Sequence, residues 1–174
     1  MKKEGVKYRG AYSVNIFFLD NDPKIAVKYY VDKHVLKMPL ETAQLLCGVH
    51  HVTSKREDIP YRLSHKNHPC SVWARASLSN YLWLVNLGFA VCAEYTFRYG
   101  KIHACRRVIE WCGEHLPNIK DKGFTQIALA MPDKYKDPDP VKAYRLYYLG
   151  AKSHLFSWKK REVPSWIRSC CHET

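Results

Sequence analysis

His34, Lys37, Glu41 and Gln44 form a polar series inside an otherwise apolar stretch. They recur at i, i+3, i+7 and i+10, so a helix places all four on one face. Val35, Leu36, Met38, Leu40, Ala43, Leu45 and Leu46 supply the apolar surface around them. A carboxylate beside a cation can move a proton or stabilise an oxocarbenium-like centre, which makes Glu41 the first catalytic candidate. His34 is a natural acid–base group at neutral pH. Lys37 suits a phosphate, or an imine if its amine were held neutral. The bland alternatives are a Glu41–Lys37 pair at i, i+4 and a structural histidine.

A second group of candidates precedes the next helical region. In His65-Lys66-Asn67-His68-Pro69-Cys70, loop histidines beside a helix start suit an anion. His68 is the catalytic candidate of this segment and Lys66 a phosphate contact. Cys70 with His68 as its base is a minor nucleophile alternative. His65, His68 and Cys70 do not match the paired spacing of a zinc site, nor do Cys170, Cys171 and His172. No metal and no cofactor is expected. Gly-rich phosphate loops and the GxSxG and HExxH motifs are absent.

The setting of these residues is basic. The chain has 174 residues, with Lys+Arg 28 against Asp+Glu 16 and a formal net charge of +12. Such an excess favours phosphate backbones through counterion release. The expected partner is nucleic acid, DNA before RNA, and not a membrane. The longest apolar run, Leu82 to Ala93, is interrupted by Asn86 and Gly88 and is too short to span a bilayer. No apolar leader segment is seen, and seven unevenly spaced cysteines suit a reducing, cytoplasmic compartment. Arg98, Lys101, His103, Arg106 and Arg107 make a basic block without an acid. Arg145, Lys152 and Lys159 fall among Tyr144, Tyr147, Tyr148 and Trp158. Gln44, Lys66, Arg98, Lys101, His103, Arg145, Lys152 and Lys159 are therefore the expected nucleic-acid contacts.

The elements that must position these groups read as mostly helical. A hydrophobic fraction of 47% with 13% aromatics supports one folded domain with its own core. Residues 1–13 read as a flexible basic arm and residues 14–174 as a single helical domain. Val14 to Asp20 reads as a short β-strand, the only β element expected. Asp22-Pro23 starts a helix to about Tyr30. A second helix runs from about Asp32 to Cys47, kinked at Pro39 and stopped by Gly48. A long helix spans roughly Ser79 to Tyr99 and ends at Gly100. It is apolar almost all round, with Asn80, Glu94 and Arg98 on one narrow polar arc, and reads as the central buried helix. Further helices are expected over 101–115 and 141–158.

The His34–Glu41 spacing resembles the active-site helix of the phage pyrimidine-dimer DNA glycosylases, the endonuclease V-type enzymes. In that family a His lies seven residues before the essential Glu on an early helix. Cys92, Glu94, Arg98 and Gly100 look similar to a later turn of that family, as does the Trp-, Tyr- and Lys-rich stretch from Tyr144 to Trp158. The chain also looks like small uncharacterised phage and bacterial proteins with stretches such as DKHVLKM, NHPCSVWA and EYTFRYGK. It departs from the glycosylases where two arginines would flank the glutamate, since Leu40 and Gln44 stand there. A basic arm also precedes the first element, whereas the family uses its N-terminal amine as the imine-forming nucleophile. The resemblance implies a base-excising N-glycosylase, with or without lyase activity. In that reading Glu41 stabilises the sugar cation, His34 and His68 assist at phosphate or leaving base, and Lys37 is the substitute amine. The other functions weighed are a non-catalytic nucleic-acid-binding phage protein and a nucleotide-modifying transferase or hydrolase.

Overall fold

In the computed structural model, residues 14–170 are described, and every regular element among them is helical. The basic arm expected over residues 1–13 lies outside the described residues. The helices are α1 (Pro23–Tyr29), α2 (Asp32–Thr53), α3 (Pro69–Ala74), α4 (Leu78–Tyr99), α5 (Arg106–Glu114), α6 (Pro140–Ala151) and α7 (Ser165–Cys170). Short 3-10 turns at Asp133–Tyr135 and Ser153–Leu155 flank α6. None of the described helices is long and apolar enough to cross a membrane.

Local chemistry explains the starts of α1 and α6. The Asp22 carboxylate accepts from Lys24 N–H with Pro23 at the first helical position, and Asp139-Pro140 repeats the device for α6. The end of α4 falls at Gly100, whose φ of 68° is the left-handed conformation that closes a helix. Gly48 does not stop α2, which continues to Thr53. A side chain there would find only Leu63 and Ser64 at 3.9 Å, so the helix passes a neighbouring loop without a break. The later helices are shorter than expected: α5 begins only at Arg106, and α6 ends at Ala151, so Lys159 lies outside it.

The expected strand over Val14 to Asp20 is a correction. The segment has no β partner among the described residues, yet residues 14–19 are all buried. Buried backbone needs hydrogen-bond partners, and here side chains supply several. Asn15 Oδ1 accepts from Ile16 N–H and Phe17 N–H, Tyr30 O–H donates to Ile16 C=O, and Arg145 Nε donates to Leu19 C=O at 3.0 Å. The segment is a thread through the core, held by groups distant in sequence.

Helix α4 is central, packed against α1, α2, α3 and α5, and its polar arc lies on the buried side together with Leu84, Leu87 and Val91. The polar arc points inward: Asn80, Glu94 and Arg98 are buried, while Leu82, Phe89 and Phe97 are exposed. Each buried polar group has a distant partner. Asn80 bonds Trp73 C=O, Thr125 Oγ1 and Thr125 N–H. Asp121 caps the start of α4 through Ser77, Ser79 and the Ser79 N–H. Close approach of α2, α4 and α5 requires Gly88, where a Cβ would stand 2.9 Å from Ile109 Cγ2 and 3.2 Å from Thr42 Cγ2.

Candidate functional site

The thread and α2 meet at Glu41. One carboxylate oxygen pairs with Lys37 Nζ at 2.9 Å; the other accepts the Asn15 N–H at 3.0 Å. Asn15 is itself fixed through its amide to Ala130 C=O at 2.8 Å. The Glu41 side chain is 11% exposed and that of Lys37 48%, so the pair sits at the boundary between core and solvent. The helical register of the sequence thus brings His34, Lys37 and Glu41 together, whereas Gln44 lies half-buried further along α2.

Phe17 is the centre of the cluster. Its φ of 51° puts a bulky side chain in the left-handed region, a strained conformation that surrounding structure must hold. The restraint is visible. The His34 ring stacks on Phe17 at 4.2 Å with 15° between planes, and Tyr147 lies near-parallel at 6.2 Å. Tyr30, Tyr144 and Tyr148 meet its edges. Two ammonium groups stand near the same ring: Lys37 Nζ at 5.8 Å and Lys152 Nζ at 5.9 Å from its centroid. Lys152 also lies 5.0 Å from the Tyr147 ring. It leaves the chain at the C-cap of α6, where the backbone turns out of the helix.

Electrostatics reassign two candidates. Burial, and then Lys37 and Lys152, push His34 down to about 2, and its Nδ1 bonds the Tyr148 hydroxyl. His34 is therefore neutral at working pH and is a wall of the site, not its proton carrier, which corrects the acid–base expectation. Burial, reinforced by Glu41, pushes the Cys70 thiol up to about 12, so the Cys70–His68 nucleophile alternative fails. The His68 ring instead caps α3, its Nδ1 accepting from Cys70 N–H at 3.2 Å. Lys152 also departs from its ordinary value. Burial and the Lys37 charge lower its pKa, opposed by Glu41.

The expected nucleic-acid contacts divide. Arg98 is a correction: it is wholly buried and is a structural clamp. It bonds Glu94 at 2.7 Å and Asp32 at 3.0 Å, and donates to Tyr30 C=O and Lys28 C=O at the end of α1. Burial opposes charge on Glu94 and Asp32, yet hydrogen bonds hold both below their usual values. These come from Arg161 and Arg98 for Glu94, and from Ser157, Lys159 N–H and Arg98 for Asp32. Arg145 is half-buried and shared between Leu19 C=O, Asp20 and the Tyr29 and Trp166 rings. His103 bridges to Leu36 C=O at 3.2 Å and accepts from Cys105 N–H. Beside it, Pro39 lacks the N–H that would have reached Val35 C=O. Lys66, Lys101 and Lys159 are exposed and stay available. Arg106, Arg107 and His103 line a surface cavity of about 610 Å³.

Sequence reasoning missed Phe17 and did not bring Lys152 to the same ring as Lys37. Phe17 reads as an ordinary strand residue, and nothing local places it beside α2 and α6. Among the described residues, no group of three or more His, Cys, Asp or Glu side chains is gathered to hold a metal ion. No family model, no curated protein and no solved structure matches the chain.

Proposed function

We propose that this chain is a nucleic-acid-acting enzyme, with DNA favoured, that excises a base by cleaving its N-glycosidic bond. The supporting observation is the Glu41 carboxylate at the solvent boundary, fixed by Lys37 and the Asn15 N–H and facing a second ammonium, Lys152. Fixed carboxylates stabilise developing positive charge on a sugar carbon, because their reorganisation is already complete. Lys37 and Lys152 supply charge for flanking phosphates, and Lys66, Lys101 and Lys159 extend the basic surface. The base would have to leave the stack to reach Glu41.

A panel of duplexes carrying single modified or damaged bases, read by alkali-induced strand cleavage, tests this function. Wild-type protein is expected to release one class of base, and Glu41→Gln to bind the same duplex without turnover. Binding with no product from any substrate, in both proteins, removes the enzymatic reading.

A second reading is favoured by one observation: both Glu41 oxygens are already occupied within the protein. Under it the chain is a non-catalytic nucleic-acid-binding protein and Glu41 a structural anchor. Glu41→Gln would then keep or strengthen binding with no activity to lose.

A further inference from the structure

We propose that the groove between α1 and α4 binds a free amphipathic anion of the alkyl-carboxylate kind. The groove shares no residue with the Glu41 cluster, and the proposal does not rest on base excision.

Helix α4 turns one mostly apolar row of side chains away from its helical neighbours. Asn86, Phe89, Ala90, Ala93 and Phe97 recur at i, i+3, i+4, i+7 and i+11, which is a single helical face. With Val27 of α1 they line a cavity of about 480 Å³. Small-molecule sites occupy about 300–1,000 Å³. Ala90 and Ala93 give the cavity depth, because neither side chain extends beyond Cβ. Phe89 and Phe97 flank this floor, about 12 Å apart along the helix axis. They are 37% and 46% exposed, so the apolar row is open to an occupant. Contiguous concave apolar surface of this kind marks a place where something binds.

The rim sets the charge of that occupant. Lys24 and Lys28 lie one turn apart on α1, both exposed and both at the cavity. Among the described residues neither ammonium forms a salt bridge. The other charged groups of the cavity are already matched. Arg161 donates to both Glu94 oxygens, at 3.0 and 2.9 Å, and Arg98 holds the same carboxylate from inside at 2.7 Å. The Arg161 guanidinium stands 4.1 Å from the Phe97 ring, so it closes a wall and its charge is spent on Glu94. What is left is an apolar floor beside two unmatched cations, and an alkyl tail with an anionic head completes both. A flexible chain can fill a continuous slot, whereas the gaps under a docked protein helix would forfeit contact. A second copy of this chain would bring two lysine rims together.

The test is calorimetric titration of the full chain with hexanoate, octanoate and decanoate below their micellar concentrations, with decyltrimethylammonium as the cationic control. Affinity should rise about two- to fourfold per added methylene, then level off once the slot is full. Decanoate should bind at least about tenfold more tightly than the cation, since the same lysines attract one head and repel the other. Ala93→Trp fills the slot from an exposed position and should abolish binding. The double variant Lys24→Gln, Lys28→Gln should lose the preference for the anion and keep the dependence on chain length. Thermal melts show that each variant is folded, and the lysine pair supplies an arm that does not depend on the tryptophan being tolerated. Equal binding of anion and cation, binding unchanged in Ala93→Trp, or a preference that survives both lysine changes overturns the inference. Absence of decanoate binding also overturns it. Sedimentation of a dimer that Ala93→Trp dissociates would then assign the groove to a second copy, and pelleting with phosphatidylglycerol vesicles to a membrane. None of these outcomes bears on Glu41, so this inference and the proposed function fail separately.

Discussion

The Asn15 N–H donates to Glu41 Oε2 at 3.0 Å, joining the threaded segment to α2 across 26 positions. One residue therefore serves both stability and the site. Glu41→Gln keeps an acceptor for this N–H, whereas Glu41→Ala leaves a buried donor unsatisfied, at a cost of about 1–3 kcal/mol. Urea denaturation should show Glu41→Ala clearly less stable than Glu41→Gln, while the proposed base excision should be lost in both. Equal stabilities would show that the thread is held elsewhere.

Arg98 closes the end of α1 and pairs with Glu94 and Asp32 in the interior. Arg98→Met leaves two carboxylates short of a buried partner, and a loss of about 3–5 kcal/mol is expected. The salt dependence of nucleic-acid binding by the folded variant should match the wild type, since Arg98 has no exposed surface. A shallower salt slope would place Arg98 at the nucleic acid after all.

Exposed and boundary lysines should behave in the opposite way. Each of Lys37→Ala, Lys66→Ala and Lys101→Ala should leave stability nearly unchanged. Each that touches a duplex phosphate should reduce the slope of log K against log salt by about 0.9. Fluorescence anisotropy over a salt series measures this directly.

His34 and His50 are both buried and both lowered, to about 2 and about 4, with burial the leading cause. The unfolded chain binds protons at these positions below its ordinary pKa near 6.5, and the folded chain does not. Their contribution to stability is therefore complete above pH 6.5 and declines as pH falls. Each histidine accounts for about 1.4 kcal/mol per pH unit well inside that window. Between pH 4 and 6.5 both act; below pH 4 His34 continues alone. Denaturation midpoints at pH 7.5, 6 and 5 should fall accordingly, and NMR should show no His34 titration down to pH 5.

Gly88 admits α5 against α4 at a distance that a Cβ would obstruct. Gly88→Ala should lower stability by about 1–3 kcal/mol despite the better helix propensity of alanine. A higher melting temperature would mean that Ile109 and Thr42 can move aside.

Local signals carried the helical class, the Asp22-Pro23 start, the α4 terminus at Gly100 and the common face of His34, Lys37 and Glu41. These depend on helical periodicity and on side chains bonding their own backbone, which neighbours in sequence decide. Three matters needed the fold. Val14 to Leu19 has the composition of a strand, but its backbone partners are Asn15, Tyr30, Glu41 and Arg145, so no sheet forms. The polar arc of α4 faces inward because Trp73, Thr125, Asp32 and Arg161 wait there to satisfy it. Phe17, Lys37 and Lys152 come together only when the thread, α2 and the end of α6 converge. A polar group can be buried wherever a distant segment completes its hydrogen bonds, and no helical wheel contains that segment.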